Sequence, residues 1–285
     1  MPRIALAQIR NTPASKKENI KRIEKMLLKA ARGESDLVIF PELSVTGYLL
    51  KDLVYTLAEE IPGPSTAKLE SLARDYGIYI IAGMPERSKD YLIYNSAVLV
   101  GPDGLLGVYR KKHLPTYGLF EEGRYFKPWT GDMEVFETPV GKIGVLICFD
   151  LFFPELARTL TVKGAQIIAV LSAAPDISRQ FFETFVHARA LENTVFIAYV
   201  NMVGFYDGIG FFGGSHVRGP LGQLLARAKL YEEDLVIVDV DYSEIARARV
   251  VRPILKDLRI DDVKCLYQAL SKKLFFSEQS HISVF

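Results

Sequence analysis

The stretch "KIGVLICFDLFFPELARTLTVKGAQIIAVL", residues 142–171, decides the fold class. It opens with the apolar run "KIGVLICF" and closes with another, "AQIIAVL". Both are short and rich in β-branched residues, as buried strands are. Between them "PELARTLTVKG" reads as a helix, with Pro154 near its first turn, where a missing N–H is tolerated. Strand, helix and strand in this order are the signature of an α/β protein.

The same alternation extends in both directions. Upstream, Arg3 to Ile9 is strand-like, and Ser15 is placed to cap "KKENIKRIEKMLLKAARG". In that segment Ile20, Ile23, Met26, Leu27 and Ala30 recur at helical spacing and Gly33 ends the pattern. "DLVIF" (36–40) and "IYIIAGM" (78–84) are buried strands flanking the helix "STAKLESLARDYG" (65–77). "YNSAVLV", the turn "GPDG" (101–104) and "LLGVYRK" form a β-hairpin by turn chemistry. Downstream, "RQFFETFVHARALEN" is a helix, "VFIAYVN" and "DLVIVDVD" are strands, and "YSEIARARV" follows the last of them. About a dozen strands exceed what one open sheet comfortably holds, so two packed sheets flanked by helices are expected in a single domain. Residues 1–249 are read as that domain. Residues 250–285 are a tail of mixed polarity suited to packing on a partner subunit or on its own surface.

Composition narrows the function. With 285 residues and 49% apolar content, the chain can bury a sizeable core. Its 35 basic and 34 acidic side chains leave a net charge of +1, which favours neither a nucleic acid nor an anionic membrane as partner. The two cysteines, Cys148 and Cys265, lack metal-ligand spacing and make no disulfide framework. A reducing, cytoplasmic setting without metal or cofactor is therefore expected. No apolar segment is long enough to cross a membrane or serve as a secretory leader.

Three apolar runs end at residues whose chemistries are complementary. "VIFPEL" places Glu42 after a strand, "GVYRKKHLP" places Lys111, and "GVLICFD" places Cys148. Residues just beyond the carboxyl ends of strands in an α/β sheet converge on one crevice. There a carboxylate can take a proton from a thiol, and an ammonium can lower the thiol pKa and hold an oxyanion. The N-terminal end of the helix after Asp150 should act on the sulfur in the same direction. Taken singly, each has an ordinary structural account: surface carboxylate, solvated cluster and core thiol.

Together, "VIFPELSVTGY", "YRKKHLPTYGLFEEGRYF" and "GVLICFDLFFPELAR" resemble the Glu-Lys-Cys motifs of the nitrilase superfamily of carbon–nitrogen hydrolases. The likeness runs from residue 3 to about residue 248 and includes "ARALEN" (188–193) and "GGSHVRGPLG" (213–222). It implies a four-layer α-β-β-α sandwich and an association of subunits into homodimers or higher homo-oligomers. It also implies Glu42 as general base, Lys111 as the lysine, Cys148 as nucleophile and Glu122, rather than Glu121, as the additional active-site glutamate. The backbone N–H of Phe149 and the Lys111 ammonium would form the oxyanion site. The implied reaction is cleavage of the C–N bond of a small linear amide through a Cys thioester, releasing ammonia or an amine.

"ELSVTGYLLKDL" and "HLPTYGLFEEGRYF" look closest to the amidase and NAD synthetase glutaminase-domain branches, where Tyr117 would border the substrate with help from Tyr48. Phe149 and Ala174 stand where the glutaminase branch has an acidic residue and a Ser. A charged amino-acid head group would lose its partners there. The pocket is therefore expected to favour a simple amide, or a carboxyamide held by Arg179. Two alternatives remain open at this point. One is a stand-alone glutaminase feeding a separate NAD synthetase, and the other is a catalytically silent interaction module. "GIGFFG" (208–213) matches a dinucleotide-loop spacing but no helix follows it. His113 and His187 are the candidates for a Cys-His alternative.

Overall fold

The computed structural model describes residues 1–280, with side chains through residue 272. Its first six-stranded sheet contains β1 (Arg3–Gln8), β2 (Leu37–Ile39), β3 (Tyr79–Arg87), β4 (Ile93–Gly101), β5 (Gly104–Arg110) and β14 (Asp234–Asp239), in the order β14-β1-β2-β3-β4-β5. The second contains β6 (Phe136–Thr138), β7 (Gly141–Ile147), β8 (Ile167–Ser172), β9 (Phe196–Asn201), β12 (His216–Arg218) and β13 (Leu224–Arg227), in the order β13-β12-β9-β8-β7-β6. Strands β1, β2 and β3 run parallel, as do β7, β8 and β9. A small hairpin, β10 (Val203–Tyr206) with β11 (Ile209–Phe212), stands apart from both sheets.

The two-residue period of a strand assigns the layers. Along β1, Ala5 and Ala7 pack with Ile23, Met26 and Leu27 of α1 (Lys16–Arg32) and with Leu69 and Leu72 of α3 (Pro64–Tyr76). Ile4 and Leu6, on the other face, share a cluster with Ile143, Val145 and Ile168 of the opposite sheet. That cluster continues through the second sheet to Leu156 and Leu160 of α5 (Pro154–Val162) and Phe182, Val186 and Ala190 of α6 (Arg179–Asn193). The order of layers is helix, sheet, sheet, helix, which is the expected α-β-β-α sandwich. Between α1 and α3 lies the short α2 (Val54–Leu57), and α4 (Glu122–Tyr125) follows β5. The chain continues past β14 into α7 (Ser243–Val251) and α8 (Ile260–Ser280).

Local expectations mostly hold, with two differences. Ser15 occupies the N-cap position of α1, but its hydroxyl makes no capping bond. Asn19 secures that entrance instead, its side chain pairing with the Thr12 N–H and carbonyl and with the Val45 carbonyl. The helix after Asp150 does not start at the sulfur. Residues Cys148–Phe152 form a tight 3-10 turn, and α5 begins only at Pro154.

Candidate active site

The strand directions bring the candidate residues to one edge. Glu42 lies three residues beyond β2, in a turn where Leu43 has φ of 48°. This turn rests on Gly83 of β3, where a Cβ would stand 2.3 Å from the Leu43 nitrogen. Glycine is what permits that approach. Strands β3 to β4 and β4 to β5 both reverse, so β5 regains the direction of β2 and releases Lys111 at the same edge. The Lys111 N–H donates to the carbonyl of Asn95, near the start of β4, at 2.8 Å. From the second sheet, β7 releases Cys148 and β8 releases Ala173 and Ala174.

Cys148 has φ of 49°, in the left-handed region. For a residue with a Cβ this costs on the order of 1 kcal/mol, and such outliers concentrate at functional turns. The turn is held from two sides. Asp150, fully buried, accepts four hydrogen bonds: at Oδ2 from the Tyr109 hydroxyl (2.8 Å) and the Ile147 N–H (3.2 Å), at Oδ1 from the His113 N–H (2.9 Å) and the Lys112 N–H (3.2 Å). It thereby ties the segment carrying Lys111 to the turn carrying Cys148. From α6, Arg189 donates to the carbonyls of Leu151 (3.0 Å) and Phe152 (3.1 Å).

Asp150→Ala would leave four donors, two of them buried, without their acceptor. We expect a loss of roughly 3–5 kcal/mol, seen as a melting temperature about 10 °C lower. An unchanged melting temperature would show that the carboxylate does not hold the two segments together.

Around Glu42 every hydrogen bond is buried. Lys111 Nζ, fully inaccessible, donates to Glu42 Oε1 at 2.7 Å and to Glu122 Oε1 at 2.8 Å. Asn95 Nδ2 also donates to Glu42 Oε1 (2.8 Å), and the Ala173 N–H donates to Glu42 Oε2 (2.9 Å). The Tyr48 hydroxyl donates to Glu122 Oε1 (2.7 Å). One ammonium and two carboxylates thus share one buried space.

The electrostatics differ from expectation at the sulfur. Burial pushes the Cys148 thiol well above its ordinary pKa; the Glu42 charge adds to this, Lys111 opposes it and Glu122 reinforces it. Lys111 therefore does not make a resting thiolate, because desolvation and two carboxylates outweigh one ammonium. Burial by itself would lower the pKa of Lys111, but Glu122 and Glu42 raise it, so it stays charged. Glu122 is pushed up to about 7 by burial, against the Lys111 charge and with that of Glu42.

A carboxyl raised from 4.5 to about 7 on folding binds a proton that the unfolded chain has released, so its ionisation costs stability as pH rises across that interval. Glu122→Gln should flatten this part of the stability curve. It should also remove an acid limb near pH 7 from kcat/KM, at a plateau lower by about 10²-fold. A wild-type profile flat through pH 7 would contradict the assignment.

The expected substrate-binding residues divide. Tyr48 joins the cluster directly. Phe149 and Tyr117 face each other with ring centroids 5.6 Å apart, and Phe149 lies 5.0 Å from Phe152 and 5.3 Å from Phe153. Together they form an aromatic wall beside Cys148. Ala174 is positioned by Asn201, which accepts from its N–H (2.8 Å) and donates to its carbonyl (3.1 Å). Arg179 is paired with Glu183 at 3.0 Å at the start of α6, outside the hydrogen-bonded cluster. His187 bonds the Gly222 carbonyl, and His113 stacks on Phe153 at 3.5 Å. "GIGFFG" is the β10–β11 hairpin rather than a phosphate loop. Asn95, Asp150 and Asn201 escaped the sequence reading, although Asn95 had a visible signal. It stands at a period-two position with Ala97 and Leu99, a polar residue on a face otherwise committed to the core.

Residues 3–250 match the family model for carbon-nitrogen hydrolases, and the chain belongs to that family. A nitrilase of Pyrococcus abyssi is 36% identical over 264 residues, which are 91% of this chain and 98% of the relative. A 2-oxoglutaramate amidase of Bacillus subtilis is 33% identical over 245 residues, covering 86% and 92% of the two chains. Among solved structures, a carbon-nitrogen hydrolase from Helicobacter pylori superposes with a TM-score of 0.87 at 29% identity, over 93% of this chain and 98% of that one. The chain is a nitrilase-superfamily hydrolase of amidase type. Among its described residues, no helix is long and apolar enough to cross a membrane.

Proposed function

We propose that the protein hydrolyses the C–N bond of a small linear amide through a thioester on Cys148. The observation that carries this reading is the buried Glu42–Lys111–Glu122 cluster at the strand ends that also deliver the strained Cys148 turn. Glu42 takes the thiol proton as sulfur attacks the carbonyl carbon, then gives it to the departing nitrogen. Because the resting thiol is neutral, this transfer belongs to the reaction itself. Lys111 and the Phe149 backbone N–H hold the oxyanion of each tetrahedral intermediate. Glu122 fixes Lys111 and meets the amide nitrogen. Water activated by Glu42 then releases the acid. The aromatic wall of Tyr117, Phe149 and Phe152 suits an apolar acyl group better than a charged one.

The test is product release from glutamine, asparagine, short aliphatic amides, ω-amides of dicarboxylic acids and N-carbamoyl compounds. Turnover of glutamine alone would overturn the apolar-pocket reading. Turnover of none would overturn the amide reading.

We also propose a cytoplasmic setting and a homodimer or higher homo-oligomer in which the tail from residue 250 meets a partner; residues 281–285 of that tail lie outside the described residues. In support, α8 exposes Val263, Leu266, Tyr267 and Leu270. Sedimentation as a 32.0 kDa species would remove the dimer.

A further inference from the structure

We infer that the cavity beside Glu122 is a leaving-amine subsite and that the substrate is an N-substituted amide whose amine portion fills it. This rests on the amide-hydrolysis reading above and narrows its substrate class. Glu122 is 4% exposed, and its two oxygens are used unequally. Oε1 accepts from Lys111 and Tyr48, whereas Oε2 is buried and has no hydrogen-bond partner among the described residues. A buried carboxylate oxygen left in this way is costly unless a donor meets it during function. An amide N–H is such a donor.

The cavity bordered by Glu122 measures about 250 Å³, with Tyr48, Leu50, Phe120, Tyr125 and Ile209 among its walls. Neither Cys148 nor Phe149 nor Ala174 lines it; it borders Glu122 and Tyr48, and its Phe120 wall meets Tyr117 at a centroid distance of 5.4 Å. The amide nitrogen belongs beside Glu122, because its N–H is the donor that Oε2 lacks. Ammonia is about the size of water, which occupies roughly 30 Å³ in the liquid, and would leave most of the cavity unused. The apolar walls fit an alkyl or aryl substituent.

The rim fixes the sign of the tail. Lys51 bonds Asp207 at 3.1 Å and also feels the charge of Glu121. Two carboxylates around one ammonium leave the mouth net negative, which suits a neutral or cationic amine and disfavours an anionic one. In the reaction the sulfur–carbon bond forms and the C–N bond breaks. The nitrogen takes the former thiol proton from Glu42, and R–NH2 leaves through this cavity. Water then cleaves the thioester, giving the acid and restoring the thiol.

The experiment compares acetyl and phenylacetyl derivatives of four amines: ammonia, butylamine, 1,4-diaminobutane and 4-aminobutanoate. Released acid and amine are read by NMR. We expect kcat/KM for the butyl and aminobutyl amides to exceed that of the primary amide at least tenfold, with the carboxylated tail the poorest of the three secondary amides. Ile209→Trp, which fills the cavity from β11, should lower the ratio of secondary to primary amide hydrolysis at least tenfold. Circular dichroism and thermal melting serve as its control for folding. Primary amides preferred over every secondary one, or a ratio unmoved by Ile209→Trp, would overturn the subsite while leaving the amide reading intact. No turnover in either series would overturn both.

Discussion

Cys148→Ala is expected to abolish amide hydrolysis, by at least about 10⁴-fold in kcat, while the protein still folds. The side chain is small and 5% exposed, so its truncation removes few contacts. The alanine inherits a backbone strain that Cys148 already bears. The loss is therefore chemical rather than structural, and circular dichroism should separate the two. A second readout follows from the raised thiol pKa. Reactivity tracks the thiolate, so a maleimide should modify the exposed Cys265 well before Cys148 in the free enzyme. Faster labelling of Cys148 would mean a thiolate already present at rest and would relieve Glu42 of the first proton transfer. Retained turnover in Cys148→Ala would end the assignment.

Lys111→Ala has the other large effect, and it acts on two quantities. Loss of one oxyanion donor costs roughly 10²- to 10³-fold in rate. Here the same side chain also neutralises Glu42 and Glu122 at 2.7 and 2.8 Å. Without it two buried carboxylates face each other, and breaking a buried pair of this kind costs about 3–5 kcal/mol. Glu122 would rise further above its ordinary range, so the folded state would favour its protonated form. The stability deficit should therefore be small near pH 4.5 and grow as pH rises through neutrality. Thermal melts across that range check the sign. A deficit independent of pH would point to lost packing rather than lost charge.

Much of this was legible before any coordinates. The alternation of buried runs and amphipathic segments gave the sandwich, because strand and helix periods are local properties. Glu42, Lys111 and Cys148 could be picked out because each follows an apolar run that has to end at a sheet edge. The electrostatic balance was not legible. It depends on the degree of burial and on how many carboxylates share the space, and neither is written in the three motifs. Asp150 was invisible for a related reason: its four donors come from residues 109, 112, 113 and 147, which only the packing of two sheets brings together. The partner of Arg179 was likewise not legible, because a helical arginine offers no sequence sign of it; here it is Glu183 one turn along.

The supply of parts to this site is uneven along the chain. Everything acidic and basic in the cluster lies within the first 122 residues, whereas the sulfur and the Ala173 amide belong to the second sheet. A ribosome that has released only residues 1–122 has therefore made the carboxylates and the ammonium without the sulfur, and without β14, which completes the first sheet from residues 234–239. Reactivity toward a carbonyl requires both sheets together, with the Ala173 amide on Glu42. Recovery of turnover after dilution from denaturant thus reports the joining of the two sheets, and a chain ending between residues 122 and 148 would hold the carboxylates and the ammonium but no nucleophile.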